Sequence, residues 1–185
     1  MSEEPGGVRL WTGPTGELAV RGWQARLRRM LDAAFDGNFA DTDWEHATGG
    51  THVLAEEGGT ILAHAAVVPR TLEIDGRLIR AGYVEAVATD PAAGGRGLGS
   101  AVMREIGEVI EADYELGALS TGVHGFYERL GWVRWRGPSH VRARDGAVHR
   151  TEEDDGGIMV LPTPSLPAPD VDAPIVCEWR DGDVW

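Results

Sequence analysis

The stretch from Tyr83 to Arg104, YVEAVATDPAAGGRGLGSAVMR, places the strongest constraint on how this chain folds. It reads as an apolar strand that carries one carboxylate, Glu85, followed by a glycine-rich turn and an amphipathic helix from about Leu98. Backbone N–H groups in such a turn, together with the dipole of the following helix, attract anions. The segment therefore predicts a cradle for a phosphate-bearing ligand, a few residues after Glu85.

The spacing of the glycines decides which phosphate loop this is. A Walker loop needs a lysine, but all 17 basic residues are arginine, and no starting glycine gives the G-x-G-x-x-G of a dinucleotide loop. A glycine-rich hinge without a ligand remains one interpretation. The other is the acetyl-coenzyme A (acetyl-CoA) loop of the GCN5-related N-acetyltransferases (GNATs), which this segment resembles. That family has Arg or Gln, two residues, Gly, one residue, then Gly or Ala. Gly97 and Gly99 match, whereas Gly94 stands at the Arg/Gln position.

Composition limits the partners of the chain. The net charge of −13 disfavours nucleic acid, and it suits either a cationic small molecule or simple solubility. The sequence has no apolar run of membrane-spanning length and no signal core in its start, MSEEPGG, so we expect a cytoplasmic protein with no membrane span. Cys177 reads as a small buried hydrophobe. The six histidines show no metal-ligand spacing, so we expect no metal.

The order of elements predicts an α/β (α+β) fold. We expect a single domain over residues 8–185, preceded by a flexible N-terminus at 1–7. Apolar residues recur at helical spacing over 17–35 and predict one amphipathic helix there. A second, short helix is predicted to begin near Thr42.

The strands are predicted to form a mixed, mostly antiparallel central sheet flanked by helices. Apolar runs on both sides of Glu57-Gly58-Gly59 predict a hairpin, and Asp75-Gly76 predicts a second turn. The proline-rich stretch 162–174 resembles an interdomain linker, but too little chain follows it to make a domain. We therefore expect the apolar segment 175–179 to return to the main sheet.

Segments spread from residue 41 to the C-terminus carry a narrower resemblance. DTDWEH at 41–46, YVE at 83–85, LGALS at 116–120 and WRDGDVW at 179–185 are similar to segments of aminoglycoside 2′-N-acetyltransferases. The same holds for Tyr127 with the later pair Gly131-Trp132. The resemblance implies the GNAT acyl-CoA N-acyltransferase fold and a homodimer. The implied activity is acetyl transfer from acetyl-CoA to the 2′-amine of an aminoglycoside.

This chemistry needs a base for the substrate ammonium and an acid for the departing thiolate. Glu85 suits the base, directly or through water, because it lies on a central strand between apolar neighbours. A carboxylate that only binds substrate, or that pairs with an arginine, is the alternative. The family places a tyrosine as the acid, and Tyr127 matches it; an aromatic that only packs the helix is the alternative. A backbone N–H near Val87 is expected to meet the charge that develops on the carbonyl oxygen.

The resemblance also assigns the binding residues. The pantetheine arm of acetyl-CoA is expected along Val87, Ala88 and Thr89, and its pyrophosphate on Gly94, Gly95, Arg96, Gly97, Leu98 and Gly99. The nominated substrate-binding residues are Asn38, Asp43, Glu85, Ala86, Ser120, Asp154, Asp155, Asp183 and Trp185. Asn38 stands where the family has an acid. In the tail, the indole would cover a sugar face while carboxylates take ammonium groups; a frayed terminus is the alternative.

Two other functions stay open at this point. One is the same chemistry on an endogenous amino sugar or cell-wall component. The other is a catalytically silent module that binds acetyl-CoA and an aminoglycoside. Intact Glu85 and Tyr127 disfavour the silent module, since it would need neither.

Overall fold

The computed structural model describes residues 7–185 and divides them into two units. The first unit contains the chain up to Val68 together with Val84–Ile106. The second contains Pro69–Tyr83 together with Gly107–Trp185. Of the segment 1–7 that we predict to be flexible, all but Gly7 lies outside the described residues, and the single-domain boundary at 8–185 stays a prediction.

Two strands and one helix contribute to both units because they are long. They are β3 (Thr60–Ile74), β4 (Arg77–Thr89) and α4 (Leu98–Asp113). Between β3 and β4, Asp75 and Gly76 both have positive φ, at 47° and 77°. That pair of dihedrals is typical of a two-residue hairpin turn, so the second predicted turn is confirmed.

The first unit holds an antiparallel ladder of three strands. β1 (Arg9–Pro14) pairs with β2 (Thr51–Glu57), and β2 pairs with the 60–67 part of β3. The two residues between β2 and β3, Gly58 and Gly59, have φ of 56° and 83°. A two-residue loop with positive φ at both positions matches the twist of the flanking strands, and the predicted hairpin is confirmed.

The single helix predicted over 17–35 is wrong. The chain forms α1 (Thr15–Val20) and α2 (Gln24–Ala34), separated at Gly22, whose φ is 65°. The Gly22 N–H donates to the carbonyl of Ala19 at 3.0 Å, and the Trp23 N–H donates to that of Leu18 at 2.8 Å. These two bonds and a left-handed glycine make a Schellman motif, which ends a helix. Because apolar residues recur at helical spacing on both sides of Gly22, the sequence pattern does not reveal this helix end.

The apolar face of both helices packs in one cluster of the first unit. Leu18, Leu27 and Leu31 are fully buried there. The cluster also contains Phe39, Leu54, Ile61 and Ala88, with Trp44 and Ala86 packed against it. The predicted short helix is confirmed as α3 (Asp41–Ala47). The cluster therefore fixes the ends of two segments that carry predicted site residues, namely α3 and the 84–89 part of β4.

The second unit contains the remaining elements of the chain. They are β5 (Leu116–Ser120), α5 (His124–Glu128), β6 (Val133–Arg134), β7 (Ser139–Arg142), β8 (Val148–Arg150), β9 (Ile158–Pro162) and β10 (Ile175–Glu178). The strands run in the order β6-β9-β5-β4-β3-β10-β7-β8. β4–β5 and β10–β7 are parallel pairs, and the other registered pairs are antiparallel.

The return of the C-terminal strand is confirmed, because β10 pairs with β3 on one side and β7 on the other. The proline-rich connection contacts residues 135–136 near its end. The Trp135 indole N–H donates to the carbonyl of Ala173 at 3.0 Å, and Arg136 pairs with Asp172 at 2.6 Å. The short strand β8 was not predicted. The sheet is mixed and mostly antiparallel, as expected. Among residues 7–185, no helix is both long and apolar enough to cross a bilayer.

Candidate active site

The predicted site residues fall into two groups, one in each unit. The first unit carries the glycine-rich turn, the 85–89 part of β4, Asn38 and Asp43. The second carries Ser120, Tyr127, the turn at 154–155 and the C-terminal tail.

The glycine-rich turn is held at both ends by buried residues and local hydrogen bonds. The Asp90 N–H donates to the carbonyl of Leu62 at 2.8 Å, and the Asp90 carboxylate accepts from the Ala92 N–H at 2.8 Å. Ala93 and Leu98 are buried on either side of the exposed residues 94–97. The turn thus presents its backbone to solvent from a fixed frame, directly before the N-terminus of α4.

The cradle has open space where a phosphate is predicted. Gly95 and Gly97 have φ of 76° and 75°, and a Cβ built on either would meet no protein atom within 4 Å. The glycines are therefore required by backbone conformation and not by close packing of the protein. Backbone exposed at a left-handed turn before a 16-residue helix suits the pyrophosphate of a coenzyme A ester.

Arg96 is engaged inside the first unit. Its guanidinium makes a two-pronged ion pair with the carboxylate of Glu57, at 3.0 and 3.2 Å. This bond, more than any other effect, lowers the pKa of Glu57. A guanidinium has about five N–H donors, so Arg96 can contact a pyrophosphate, as predicted, with the donors that Glu57 leaves.

Glu85 lies half-buried on β4, beside a residue in an unusual conformation. Ala86 has a φ of 51°, which costs an alanine roughly 1–2 kcal/mol relative to ordinary strand geometry. A left-handed residue within a strand is typical of a β-bulge, and it re-aims the groups on either side. Those groups are the Glu85 carboxylate and the Val87 N–H, the predicted base and the predicted donor to the carbonyl oxygen.

The two substrate-binding residues predicted in the first unit lie on either side of the α3 N-terminus. Asn38 is exposed in the turn after α2, and Asp43 is half-buried in the first turn of α3. One oxygen of Asp43 accepts from the Ala40 N–H at 2.8 Å, so this carboxylate also caps the helix. Their neighbours Phe39 and Trp44 pack in the same cluster as Ala86. The fold therefore holds Asn38 and Asp43 on the same core as the Glu85 segment.

Tyr127 is 8% exposed, and its ring packs edge-on against Phe126 and Trp132. Burial raises the pKa of its phenol to about 12, and a hydrogen bond with the Thr121 side chain opposes this increase. The phenol consequently stays protonated at neutral pH. It can act as a hydrogen-bond donor there.

The turn after β8 brings acidic groups near the tail. Burial first, then the charges of Glu153 and Asp183, raises the pKa of Asp154. Asp155 behaves differently, because it pairs with Arg150 and accepts from Ser139, so its pKa is held well below the usual range. Asp155 therefore anchors this turn internally, and its role in substrate binding stays a prediction. The negative charges of Asp154 and Asp183 repel each other, and a bound cation would relieve that repulsion.

The C-terminal tail is docked and not frayed. The Trp185 indole is 5% exposed and donates to the hydroxyl of Thr151 at 3.2 Å. Buried Arg70 donates to the carbonyls of Val184 and Glu178 at 2.8 and 2.7 Å, and its cation lies 4.8 Å from the centre of the Tyr83 ring. The buried Trp185 ring offers little surface to a sugar face, and its role in substrate binding stays a prediction.

Ser120 is exposed at the end of β5, opposite Ile158 of β9. The next residue, Thr121, donates from its N–H to the carbonyl of Gly157 at 2.9 Å, which ties this end of β5 to the turn that carries Asp154. The second unit therefore brings together three of its predicted site segments: Ser120, the acidic turn and the tail bound to Thr151. In the described part of the chain, no group of His, Cys, Asp and Glu side chains is arranged to hold a metal.

Comparison with known proteins places this geometry in a family. The Acetyltransferase (GNAT) domain matches residues 24–134, which covers the cradle, Glu85 and Tyr127. The chain belongs to the GNAT acetyltransferase family. This GNAT chain is also 48% identical over 163 residues to the aminoglycoside 2′-N-acetyltransferase of Mycolicibacterium fortuitum, a match that covers 85% of the chain and 83% of that protein. The narrower resemblance stated from the sequence is confirmed.

Solved structures support the GNAT fold at lower identity. YhbS of Escherichia coli, crystallised in complex with CoA, is 18% identical with a TM-score of 0.59, covering 98% of this chain and 93% of its own. A GCN5-related N-acetyltransferase from Kribbella flavida is 22% identical with a TM-score of 0.59. That match covers 72% of this chain and 34% of the other, so this GNAT chain spans about a third of that protein. The predicted acyl-CoA N-acyltransferase fold is confirmed.

Several residues that organise the site were missed in the sequence. Arg70 and Thr151 hold the tail, and His52 and His64 contact one another beneath the Ala86 carbonyl. The two histidines lie in apolar strand segments, HVLA and LAHAA, and such placement is the one signal that indicates a buried pair. Arg70 and Thr151 carry no local signal, because their partners are more than 30 residues away in sequence.

Proposed function

We propose that this chain transfers the acetyl group of acetyl-CoA to the 2′-amine of an aminoglycoside, in a direct ternary complex without an acyl-enzyme. The observation that carries the proposal is the 48% identity, over most of both chains, to an aminoglycoside 2′-N-acetyltransferase. The cradle and the tail support it independently: the first offers backbone to a phosphate, and the second brings carboxylates together near a docked terminus.

The 87–99 segment holds the acetyl donor in this proposal. Backbone of Val87, Ala88 and Thr89 binds the pantetheine arm along the strand, and the Gly94–Gly99 turn binds the pyrophosphate. When bound, acetyl-CoA supplies a thioester whose carbonyl the amine attacks. The Val87 N–H donates to the carbonyl oxygen as negative charge develops there.

Glu85 is the proposed base, and Tyr127 is the proposed hydrogen-bond donor to the leaving group. The Glu85 carboxylate accepts a proton from the substrate ammonium, directly or through water, so that the nitrogen lone pair is available. The Tyr127 phenol donates a hydrogen bond to the departing sulfur. Because burial raises the pKa of Tyr127 to about 12, we assign this hydroxyl the stabilisation of thiolate charge and not complete proton transfer.

Carboxylates bind the polycationic acceptor. We assign this role to Asp43, Asp154 and Asp183, with hydrogen bonds from Asn38, Ser120 and the backbone of Ala86. Asn38 carries no charge where the family has an acid, so we expect the enzyme to favour aminoglycosides that place no ammonium there.

Gly97→Ala tests the cradle. The methyl group would occupy the open space assigned to a phosphate, and φ of 75° disfavours alanine. Loss of one charge-assisted contact is worth about 1.5–3 kcal/mol, so KM for acetyl-CoA should rise roughly ten- to a hundredfold in steady-state assays. Gly146→Ala is the matched control, because Gly146 has φ of 90° and similar open space on the β7–β8 turn. An equal rise in KM for both variants would argue against the cradle.

Asp183→Asn tests the acidic group near the tail. An exposed ion pair contributes up to about 1 kcal/mol, so KM for the aminoglycoside should rise roughly two- to fivefold. KM for acetyl-CoA and the melting temperature should stay unchanged. Asp181→Asn makes the same charge change two residues away, where Asp181 lies 3.7 Å from Arg144, and serves as the control. If both variants weaken drug binding equally, the effect is general charge and not a site.

Our proposal also includes a cytoplasmic homodimer. The family resemblance supports the dimer, and acetyl-CoA as the donor supports the cytoplasm. Light scattering behind a sizing column should give the mass of two chains. A monomer at assay concentration would remove the dimer from the proposal without affecting the chemistry.

Thiol release from acetyl-CoA tests the activity directly. The rate should depend on both acetyl-CoA and an aminoglycoside that carries a 2′-amine. Faster turnover on an amino sugar without the aminoglycoside scaffold would favour an endogenous substrate. Tight drug binding without any thiol release would identify a silent module and contradict the proposal.

A further inference from the structure

Two buried histidines form a continuous hydrogen-bonded chain in the first unit. The Thr15 hydroxyl lies 2.8 Å from His52 Nε2, His52 Nδ1 lies 2.9 Å from His64 Nε2, and His64 Nδ1 lies 2.8 Å from the carbonyl oxygen of Ala86. Both rings are fully buried. The hydrogen-bonded series therefore runs from Thr15, at the start of α1, to Ala86, the left-handed residue of β4.

The Ala86 carbonyl oxygen, at one end of this hydrogen-bonded series, fixes the direction of every bond in it. A carbonyl oxygen only accepts, so His64 carries its proton on Nδ1, and its Nε2 must accept. His52 then donates from Nδ1, and its own Nε2 accepts from the Thr15 hydroxyl. The Gly49 N–H donates to that hydroxyl oxygen at 3.1 Å and completes the series. The Thr15 hydroxyl also lies 3.3 Å from the carbonyl oxygen of Gly50, and its single proton goes to the closer His52 Nε2 at 2.8 Å. With both rings neutral, each carries its proton on Nδ1.

The hydrogen-bonded series ends at Ala86, the residue on which the proposed chemistry depends. Ala86 has φ of 51°, a conformation that alanine adopts only when its surroundings impose it. Turning the Ala86 carbonyl into the protein also orients the peptide unit that it shares with Val87, and that unit carries the Val87 N–H. Glu85 precedes the same bend. Holding one carbonyl oxygen thus orients both the proposed base and the proposed donor to the thioester oxygen.

We propose that His64, braced by His52 and Thr15, is the positioning residue that holds the Ala86 bend in its catalytic geometry. The inference rests on the proposed acetyl transfer. His64 touches neither substrate nor donor in it, and it acts through the backbone of Ala86. The expected signature is a loss in kcat with little change in either KM, because the groups that it aims stabilise the transition state.

These bond directions follow from neutral rings, and the full burial of both histidines favours the neutral form. Burial lowers the pKa of His52 to about 4. Burial, and then the neighbouring His52 ring, lowers the pKa of His64 to about 3, against the opposing effect of its bond to Ala86. A proton added to His64 Nε2 would face the N–H of His52 Nδ1, and a proton added to His52 Nε2 would face the proton of the Thr15 hydroxyl. Either addition would force the donors along the path to rearrange.

A pair of variants separates positioning from packing. His64→Asn keeps a δ nitrogen that can donate to the Ala86 carbonyl, whereas His64→Leu fills similar space with no donor. We expect kcat of His64→Leu to fall about ten- to a hundredfold, as for misplaced catalytic groups, with both KM values within about threefold of the parent. His64→Asn should recover kcat to within about threefold of the parent. Equal kcat for the two variants would overturn the proposal.

Tautomers give a readout that needs neither a variant nor activity. Nitrogen-15 NMR of histidine-labelled protein should show two neutral rings protonated at Nδ1, assigned by their loss in His52→Gln and His64→Asn. An Nε2–H tautomer at His64 would overturn the proposal even if His64→Leu does not fold. If the parent protein releases no thiol with any aminoglycoside, the proposed function fails, whereas an active parent with equal variants defeats only the positioning role.

Discussion

Glu85→Gln should lower kcat at least about a hundredfold, because a positioned general base contributes roughly 10²–10⁴ to the rate. Glutamine has nearly the shape of glutamate and can accept a hydrogen bond, but it cannot take a proton from the substrate ammonium. The half-buried position beside the Ala86 bend is preserved, so binding of acetyl-CoA should be unaffected. The measurement is steady-state kinetics with acetyl-CoA and a 2′-amine aminoglycoside, compared with the parent protein.

Glu108→Gln is the control for this change. Glu108 is exposed on α4, so its replacement removes the same charge without touching the proposed site. An outcome in which Glu85→Gln raises KM for the drug and leaves kcat intact would show that Glu85 only binds substrate. The base would then have to lie elsewhere.

Tyr127→Phe should lower kcat about ten- to a hundredfold. A hydrogen bond to a charged group is worth about 1.5–3 kcal/mol, and the variant removes the donor to the departing thiolate. The buried ring keeps its contacts with Phe126 and Trp132, so folding should be preserved. Because burial raises the pKa of Tyr127 to about 12, the phenol stays protonated at neutral pH. A basic limb in the pH profile near neutral pH belongs to another group and should persist in the variant.

Tyr114→Phe is the matched control. Tyr114 is half-buried at the end of α4, and its ring lies 5.2 Å from the Arg80 guanidinium. Removal of its hydroxyl should leave kcat unchanged. If Tyr127→Phe matched Tyr114→Phe in kcat, Tyr127 would be a packing residue, as the other interpretation of the sequence holds.

Local features of the site could be read from the sequence because they depend on neighbours in the chain. The cradle is one continuous segment, and its glycines at 95 and 97 have the positive φ that such a turn requires. The hairpin at Gly58-Gly59 and the helix start at Asp41 follow from the same kind of short-range signal. The sheet class and the return of β10 followed from the order of apolar segments.

Features that depend on distant partners could not be read in this way. The bonds from Ser139 to Asp155, 16 residues apart, and the burial of Trp185 against Thr151, 34 residues apart, arise only when β7, the turn after β8 and the tail pack together. The bend at Ala86 has no signal, because alanine is an ordinary strand residue whose left-handed φ is held by its surroundings. Gly22 shows the opposite case, since its Schellman motif is local, but continued apolar periodicity concealed it.

The central claim is that this GNAT acetylates the 2′-amine of aminoglycosides. The most direct test uses two aminoglycosides that are identical except for an amine or a hydroxyl at carbon 2′, with thiol release and product mass as readouts. We predict release of one thiol per drug and one added acetyl group for the 2′-amine compound, and no turnover of the 2′-hydroxyl compound. Equal turnover of both compounds would contradict the account.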